Sequence, residues 1–219
     1  MKLLEERIQT DGRVLGTEVL KVDNFLNHQV DPALMQAMGT EVLKVDNFLN
    51  HQVDPALMQA MGNEFARLFA TEKIDKVLTV ESSGIAPAVF AALALNVPMV
   101  FARKKQSLTL SGDHYVADVY SFTKQETNHI LVDKRFIQPG ERLLLIDDFL
   151  ANGQAVAGML QIASDAGATV VGAGIVIEKT FQKGRALLDE QGVRVESLAR
   201  IAAFENGQVV FADESPVAN

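Results

Sequence analysis

The sequence contains no cysteine in its 219 residues. Disulfide bonds, thiolate metal sites and a cysteine nucleophile are therefore excluded. Long hydrophobic runs are also missing: the longest, residues 86–94, has the length of a buried helix, whereas a membrane span needs roughly 18 residues. The first residues alternate charged and apolar side chains, without the apolar core of a signal peptide. These absences predict a cytoplasmic protein that does not enter a membrane.

An excess of positive charge is missing as well. The chain has 20 Lys and Arg against 28 Asp and Glu, which gives a formal net charge of −8 at pH 7. A general nucleic-acid binder normally presents a basic face, so this balance disfavours nucleic acid as a partner. The chain is 48% hydrophobic and 22% charged, a composition typical of an ordinary globular domain.

What the sequence does contain is a duplication. Residues 17–39 recur letter for letter as residues 40–62, a tandem repeat of 23 residues. Solenoids need about three or more stacked copies, and two copies without any drift indicate instead that one copy is surplus. We therefore expect one domain over residues 1–219. We favour the second copy as the one that serves the fold, because only that copy continues into a long amphipathic helix after Asp54 and Pro55. The first copy keeps the direct connection to a short helix that the leucine and charge pattern predicts at residues 2–10, so the choice stays open.

The rest of the chain alternates strand-like and helical segments. Continuous apolar strands between helices are typical of an α/β fold with a mainly parallel sheet that is covered on both faces. The pattern predicts strands at 76–80, 98–102, 142–146 and 169–177, helices at 86–95, 153–166 and 184–191, and a hairpin of 119–122 with 129–132.

The strongest motif is LLLIDDFLANGQA at residues 143–155. It reads as a buried strand that ends in Asp147 and Asp148, followed by a glycine-containing loop that opens into a helix. Ligands of open α/β sheets bind at the carboxyl ends of strands, and the free N–H groups of a helix N-terminus hold phosphate. The two acids lie where they can accept hydrogen bonds from sugar hydroxyls. Taken alone, the pattern also fits a simple capped helix after a strand.

This motif resembles the phosphoribosyl-diphosphate signature of the type I phosphoribosyltransferases. The familiar signature has Thr or Ser around the glycine, whereas this chain has ANGQA at residues 151–155, which is similar to the bacterial branch that acts on xanthine. Further segments agree with that branch, and the resemblance runs nearly end to end once one repeat copy is removed. These segments are residues 43–52, 81–87, 100–104, 119–124, 177–181 and 195–201.

The resemblance implies a fold, a reaction and partners. The fold would be the type I phosphoribosyltransferase fold, a central mainly parallel sheet flanked by helices with a small hood for the base. The reaction would convert xanthine and 5-phosphoribosyl 1-diphosphate to xanthosine 5′-monophosphate and pyrophosphate, a purine-salvage step. Mg²⁺ would come with the diphosphate substrate and need no side-chain cluster, and the enzyme would be a homodimer. The alternatives are a transferase that prefers guanine or hypoxanthine and a phosphoribosyl-diphosphate-sensing regulator on the same fold.

The resemblance also assigns site residues. The phosphoribosyl diphosphate would be held by Asp147, Asp148, Ala151, Asn152, Gly153, Gln154 and Ala155. Its pyrophosphate would be held by Ser82, Ser83, Gly84, Arg103 and Lys104, although the serines also suit a helix cap and the basic pair a solvated surface. The base would be held by Lys179, Phe181, Leu43 and Asn50, or by Leu20 and Asn27 of the first copy.

Two of these assignments carry a chemical argument. Lys179 would donate to the exocyclic oxygen of a 6-oxopurine, whereas an adenine site needs an acceptor at that place. Phe181 would stack on the base, but it suits an ordinary core position equally well. Residues 107–124 are expected either to form a mobile loop that closes over the site or to be a solvated β-hairpin.

Overall fold

The structure, a computed structural model, describes residues 1–15, 42–104, 113–121, 126–205 and 207–212. Its helices are α1 (Lys2–Asp11), α2 (Pro55–Leu68), α3 (Ile85–Leu95), α4 (Gln154–Asp165) and α5 (Gly184–Glu190), with a π-helical turn at Asp46–Asn50 and a 3-10 turn at Lys134–Phe136. Its strands are β1 (Arg13–Leu15), β2 (Val42–Lys44), β3 (Lys76–Val80), β4 (Met99–Ala102), β5 (His114–Ser121), β6 (Glu126–Asp133), β7 (Arg142–Leu150), β8 (Thr169–Lys179), β9 (Val195–Glu205) and β10 (Gln208–Phe211).

A six-stranded sheet forms the centre of the molecule. Its strand order is β10-β9-β8-β7-β3-β4. The strands from β9 to β4 are parallel to one another, and only β10 runs antiparallel to its neighbour. The expected mainly parallel sheet is therefore confirmed. Because the strands are parallel, the carboxyl ends of β3, β4, β7 and β8 lie along one edge of the sheet, where ligands of open α/β sheets bind.

Both faces of this sheet are covered, as the apolar strands predict. Successive residues of a strand point to opposite faces. In β7, Leu144 and Ile146 pack with α1, α2 and α3, whereas Leu143 and Leu145 pack with α4 and the β5–β6 hairpin. The described part of the chain contains no helix that is long and apolar enough to cross a membrane.

A small second sheet contains the start of the second copy of the repeat. Strands β1 and β2 pair antiparallel, with Val14 opposite Leu43 and Leu15 opposite Val42. Residues 16–41 therefore lie between two paired strands in the sequence, and with them Leu20 and Asn27, which fall outside the described residues. We call helix α1, this small sheet and the π-helical turn the hood, after the role that the resemblance implies. Helix α1 lies against β9 through a hydrogen bond from the Met1 amino group to the Leu198 carbonyl.

Helix α2 explains why the second copy fits the core. Asp54 caps the helix and accepts hydrogen bonds from the N–H groups of Ala56 and Leu57 at 3.0 and 3.1 Å, with Pro55 in the first turn as predicted. The helix continues past the repeat to Leu68, and Phe65 within it and Phe69 directly after it are both 0% exposed. Only the second copy is followed by these two phenylalanines.

The structure corrects several boundaries. Strand β7 does not end at residue 146 but runs through both acids to Leu150, because Phe149 and Leu150 pair with Ile177 and Glu178 of β8. Strand β8 likewise extends to Lys179. A hairpin is present, from His114 to Asp133, but the predicted pairing is wrong: residues 129–132 pair with residues 115–118, and Val119 lies opposite Asn128. Of residues 107–124, those from 114 to 121 form strand β5, which is the hairpin alternative; residues 107–112 and 122–124 lie outside the described residues.

Candidate active site

The site lies where four parallel strands end. Strand β3 is followed by residues 81–84, β4 by Arg103 and Lys104, and β7 by residues 151–155, while β8 ends at Lys179. Since β4, β3, β7 and β8 are consecutive neighbours in the sheet, these segments share one edge. We call residues 81–84 the pyrophosphate loop and residues 151–155 the phosphate loop, after the roles expected from the sequence.

The pyrophosphate loop packs directly on the two acids of β7. Gly84 lies so close to the next strand that a Cβ there would be 3.2 Å from Oδ1 of Asp147 and 2.3 Å from Oγ1 of Thr79. The Ser83 hydroxyl lies beside the carboxylate of Asp148 and lowers its pKa. The peptide bond between Glu81 and Ser82 is cis. The two acids and this loop, predicted from separate motifs, therefore form one cluster.

Asp147 and Asp148 are buried carboxyl groups, 6% and 8% exposed. Burial raises the pKa of Asp147 well above its usual value, and the neighbouring Asp148 carboxylate raises this pKa further. Burial also raises the pKa of Asp148, while the Ser83 hydroxyl opposes that rise. Two adjacent acids with few internal donors are suited to accept hydrogen bonds from a polyhydroxy ligand, which supplies the missing donors.

The two basic residues after β4, Arg103 and Lys104, lie in different environments. The positive charge of Lys104 opposes the rise in the pKa of Asp147, and the Lys104 backbone N–H donates to Oε1 of Glu81 at 2.7 Å. Arg103 instead bridges to Leu131 through its backbone, and its guanidinium lies 5.5 Å from the centre of the Phe101 ring. The structure therefore brings Lys104 to the cluster and directs Arg103 onto Phe101.

The phosphate loop opens into helix α4 with its backbone N–H groups uncapped by any side chain. Gly153 adopts a left-handed conformation with φ of +77° and is buried, so the loop can turn sharply into the helix. Ala151, Asn152, Gln154 and Ala155 are half-buried around it. The N-terminus of a 12-residue helix with free N–H groups suits an anion such as a phosphate.

Lys179 ends β8 beside two aromatic rings. Its Nζ lies 5.8 Å from the ring centre of Phe204, and Phe204 meets Phe181 edge-on at 5.8 Å between ring centres. Burial lowers the pKa of Lys179, and within the described part of the chain no carboxylate pairs with it. Phe181 is 47% exposed, so its ring is not an ordinary core residue. A half-buried donor over one ring of an aromatic pair is an arrangement that fits a flat heterocyclic base.

Comparisons with known proteins agree with this geometry. Residues 45–207 match the family described as phosphoribosyl transferase domain. The chain belongs to the phosphoribosyl transferase family. It is similar to the xanthine phosphoribosyltransferase of Leuconostoc mesenteroides, with 64% identity over 96% of this chain and 100% of the relative. The xanthine phosphoribosyltransferase of Latilactobacillus sakei is 60% identical over 98% of each chain.

The fold of this phosphoribosyl transferase also matches solved structures. The crystal structure of adenine phosphoribosyltransferase from Rhodothermus marinus superposes with a TM-score of 0.69 and covers 92% of this chain and 100% of that one. Its sequence identity is 22%, so this likeness concerns the fold alone. The type I phosphoribosyltransferase fold expected from the motif is thereby confirmed.

Two hood residues complete the predicted set. Leu43 is 7% exposed and belongs to the core cluster on which Phe204 packs. Asn50 ends the π-helical turn, and its side-chain Oδ1 is buried without a hydrogen-bond partner among the residues that the structure describes. A buried acceptor without a donor is costly, which is expected where a ligand supplies the donor.

Sequence reasoning missed three residues that contact the candidate site residues: Thr79, Glu81 and Phe204. The Thr79 hydroxyl is buried beneath Gly84, and Glu81 orients the backbone of Lys104. Phe204 is three residues beyond Ile201, the partner of Lys179 in the β8–β9 register. For Glu81 the sequence offers a signal, since it begins the ESSG segment. The positions of Thr79 and Phe204 follow from strand pairing and are not visible in a local pattern.

Proposed function

We propose that this chain is a xanthine phosphoribosyltransferase that forms xanthosine 5′-monophosphate and pyrophosphate from xanthine and 5-phosphoribosyl 1-diphosphate. The observation that carries the proposal is the convergence of the buried acid pair, the two anion-binding loops and Lys179 at one edge of the sheet. The substrate class comes from relatives named xanthine phosphoribosyltransferase that are 60–64% identical over nearly the whole chain.

In this reaction the bond from the anomeric carbon to the pyrophosphate oxygen breaks, and a bond from that carbon to a purine nitrogen forms. The ribose carries oxocarbenium character in between. The protein therefore has little covalent work and acts by positioning the reactants and stabilising charge. The phosphate loop would hold the 5′-phosphate through backbone N–H groups. Asp147 and Asp148 would accept hydrogen bonds from the ribose hydroxyls.

The leaving pyrophosphate would lie against the opposite side of the acid pair. Ser82, Ser83 and Gly84 offer hydroxyl and backbone donors, and Lys104 offers a positive charge close to Asp147. In this arrangement negative charge that develops on pyrophosphate meets donors that are already in place. Arg103, which lies on Phe101, would serve the diphosphate only after its side chain moves, or would serve the neighbouring subunit as the family resemblance implies.

Lys179 would select the base. An ammonium group donates hydrogen bonds and cannot accept them, so it suits the exocyclic oxygen of a 6-oxopurine and not the amino group of adenine. Guanine and hypoxanthine carry the same oxygen, and a transferase that prefers one of them is the second candidate supported by this lysine. A phosphoribosyl-diphosphate-sensing regulator is disfavoured by the net charge of −8.

The hood would complete the base site with Leu43 and Asn50 of the second copy. The buried Oδ1 of Asn50 supports this role because a donor of the base can satisfy it. Two identical segments cannot fill one pocket, and the second copy is the one that leads into α2. We therefore propose one domain in which the first copy, with Leu20 and Asn27, is an insertion between β1 and β2.

Mg²⁺ would accompany the diphosphate. Among the described residues no group of three or more His, Asp or Glu side chains is arranged to hold a metal ion. Mg²⁺ is usually bound by phosphate oxygens and water with few protein ligands, so this donor set fits a metal that is carried by the substrate. When bound, the ion would neutralise charge on the diphosphate, while the residues above hold and orient the reactants.

The enzyme would be a cytoplasmic homodimer, as the resemblance implies. Light scattering on the purified chain tests the oligomeric state, and cell fractionation tests the location. The reaction itself is tested by mixing the purified chain with xanthine, 5-phosphoribosyl 1-diphosphate and Mg²⁺. We expect xanthosine 5′-monophosphate and pyrophosphate to appear in equal amounts by chromatography, and release of pyrophosphate without nucleotide would contradict the proposal.

A further inference from the structure

Glu178 is a fully buried carboxylate that has no role in the reaction described above. It directly precedes Lys179 on β8 and is 0% exposed. Arg185 holds it with two parallel hydrogen bonds, from Nε to Oε1 at 3.0 Å and from the second guanidinium nitrogen to Oε2 at 2.6 Å. Ser197 of β9 donates a third hydrogen bond to Oε2 at 2.6 Å. The carboxylate is therefore fixed in position and direction.

Arg185 lies in the first turn of helix α5, and that turn rests on the phosphate loop. The Gly184 N–H donates to the carbonyl oxygen of Ala151 at 2.9 Å. The contact is so close that a Cβ at Gly184 would lie 2.5 Å from that oxygen and 2.9 Å from the nitrogen of Gly153. Whatever sets the position of α5 therefore sets the position of the phosphate loop.

The same ion pair also fixes the end of β8. Four residues separate Lys179 from Gly184, and the Gln182 N–H donates to the Lys179 carbonyl at 3.0 Å. The chain thus leaves the sheet at Lys179, turns at once, and is tied back to Glu178 by Arg185. The base-contacting lysine stands at one end of this short closed path, and the phosphate loop is contacted at the other.

We propose that the Glu178–Arg185 ion pair is a positioning device that sets the spacing between Lys179 and the phosphate loop, and thereby the alignment of the base with the anomeric carbon. The inference rests on the proposed function. Glu178 and Arg185 touch no substrate in this account, so both are positioning residues.

A purely stabilising role explains the pair less well. Taking both charges out of water costs free energy, and well-packed apolar side chains of similar volume often give equal or greater stability. A planar guanidinium on a carboxylate differs from an apolar contact because its two parallel hydrogen bonds fix direction as well as distance. Direction and distance are what two substrates bound on separate elements require.

The test compares two arginine-to-lysine substitutions. Arg185→Lys keeps the positive charge and removes the two-pronged geometry. The matched control is Arg135→Lys: Arg135 binds the buried carboxylate of Asp133 in the same way, with hydrogen bonds of 2.9 and 2.7 Å. That pair lies at the opposite edge of the sheet, since Lys76 at the start of β3 donates to the carbonyl of Phe136. Melting temperature, kcat and both KM values are measured for each.

If the pair sets the spacing, each substrate still meets its own contacts but the two are misaligned. We expect Arg185→Lys to lower kcat by about tenfold or more, with both KM values changed less than about threefold. Arg135→Lys is expected to lower the melting temperature without this loss of kcat. Ser197→Ala, which removes one hydrogen bond from Glu178, is expected to lower kcat in the same direction by a smaller factor and serves if Arg185→Lys fails to fold.

Unchanged kcat in a folded Arg185→Lys variant, or equal losses in both arginine variants, would overturn the inference. If Arg185→Lys does not fold, an unchanged kcat in Ser197→Ala overturns it. A wild-type chain that transfers no base overturns the proposed function, and the positioning role with it. Active wild type with unaffected Arg185 and Ser197 variants overturns the positioning role alone.

Discussion

Gly84 packs directly against the side chain of Asp147: a Cβ on Gly84 would lie 3.2 Å from a carboxylate oxygen of Asp147. The first residue belongs to the loop after β3 and the second to β7, its neighbour in the sheet. The contact means that the proposed pyrophosphate loop and the ribose-binding acids form one surface.

Gly153→Ala should separate a specific clash from general backbone strain. Gly153 and Gly192 both have positive φ, +77° and +68°, so alanine is strained at either position. Only at Gly153 does the added Cβ meet neighbours, at 3.1 Å from Cα of Gly184 and 3.2 Å from Cδ2 of Leu187. At Gly192 nothing lies within 4 Å.

We therefore expect Gly192→Ala to lower the melting temperature by about 2–4 °C for a loss of about 1 kcal/mol, and Gly153→Ala to lower it by more, because its Cβ also meets the backbone of Gly184. Gly153→Ala should in addition raise KM for phosphoribosyl diphosphate by about tenfold, because the phosphate loop must move. Differential scanning fluorimetry and initial-rate kinetics measure the two effects. Equal KM values for the two variants would refute a phosphate-binding role of this loop.

Asp147→Asn should raise the stability of the protein and lower its activity. Burial, together with the charge of Asp148, raises the pKa of Asp147 well above its usual 3.8, so the folded protein holds this proton more tightly than the unfolded chain does. The free energy of unfolding then falls as pH rises from the unfolded pKa through the folded one. Asparagine keeps the acceptor for the N–H of Asp148, which is 3.0 Å from Oδ1, and removes the buried charge.

The variant is therefore expected to melt higher than wild type at pH 8, by about 2–4 °C for a gain of about 1 kcal/mol, and the advantage should shrink at pH 5. At the same time kcat/KM should fall by about 10- to 100-fold, because a neutral amide accepts weaker hydrogen bonds from ribose. Melting curves of the variant and of wild type at both pH values test this expectation. If the melting temperature of the variant minus that of wild type is lower at pH 8 than at pH 5, the carboxylate is stabilising and the account of Asp147 is wrong.

Lys179→Ala should weaken base binding selectively. Removal of a charged donor typically costs about 10- to 100-fold in affinity for the group it binds. We expect that loss in KM for xanthine and a much smaller change in KM for phosphoribosyl diphosphate. Lys183→Ala is the matched control, since Lys183 is an exposed lysine four residues along the chain. Equal losses for both substrates in Lys179→Ala would contradict its assignment to the base.

The duplication offers an internal control for the base site. Asn27 and Asn50 occupy the same place in identical segments, so Asn27→Ala and Asn50→Ala are the same change in the same local sequence. We expect Asn50→Ala to raise KM for xanthine about fivefold or more, through loss of the hydrogen bond to its buried Oδ1, and Asn27→Ala to change it less than about twofold. Initial rates with xanthine measure both. The reverse result would assign the pocket to the first copy.

The sequence predicts those features whose residues are close together in the chain, and it misses those that depend on strand pairing. The strand–loop–helix around Asp147 and Gly153 is continuous in the chain, and this unit and the capping by Asp54 are predicted correctly. Strands β1, β9 and β10 are not predicted. The end of β7 is missed because residues 149 and 150 are held by pairing with β8, which local composition does not reveal. Phe204 and the Glu178–Arg185 pair are missed for the same reason. Their positions depend on the β8–β9 register and on the return of α5 to the sheet.

The choice between the repeat copies is only partly predictable from the sequence. The two copies are identical to each other, so no feature within them distinguishes one from the other. The distinction lies downstream, where Phe65 and Phe69 follow the second copy and fill the core on one face of the sheet. The sequence therefore favours the second copy, and the structure places that copy, from Val42 onward, in the hood and in α2.

The central claim is a xanthine-selective transferase whose first repeat copy is an insertion. Its most direct test is the steady-state turnover of xanthine, guanine, hypoxanthine and adenine with phosphoribosyl diphosphate and Mg²⁺, on this chain and on a version that lacks residues 17–39. An inserted segment of this length costs little closure entropy, so we expect both versions to turn over xanthine fastest and adenine not at all. Preference for another base in both versions, or no transfer by either while phosphoribosyl diphosphate still binds, would contradict the account.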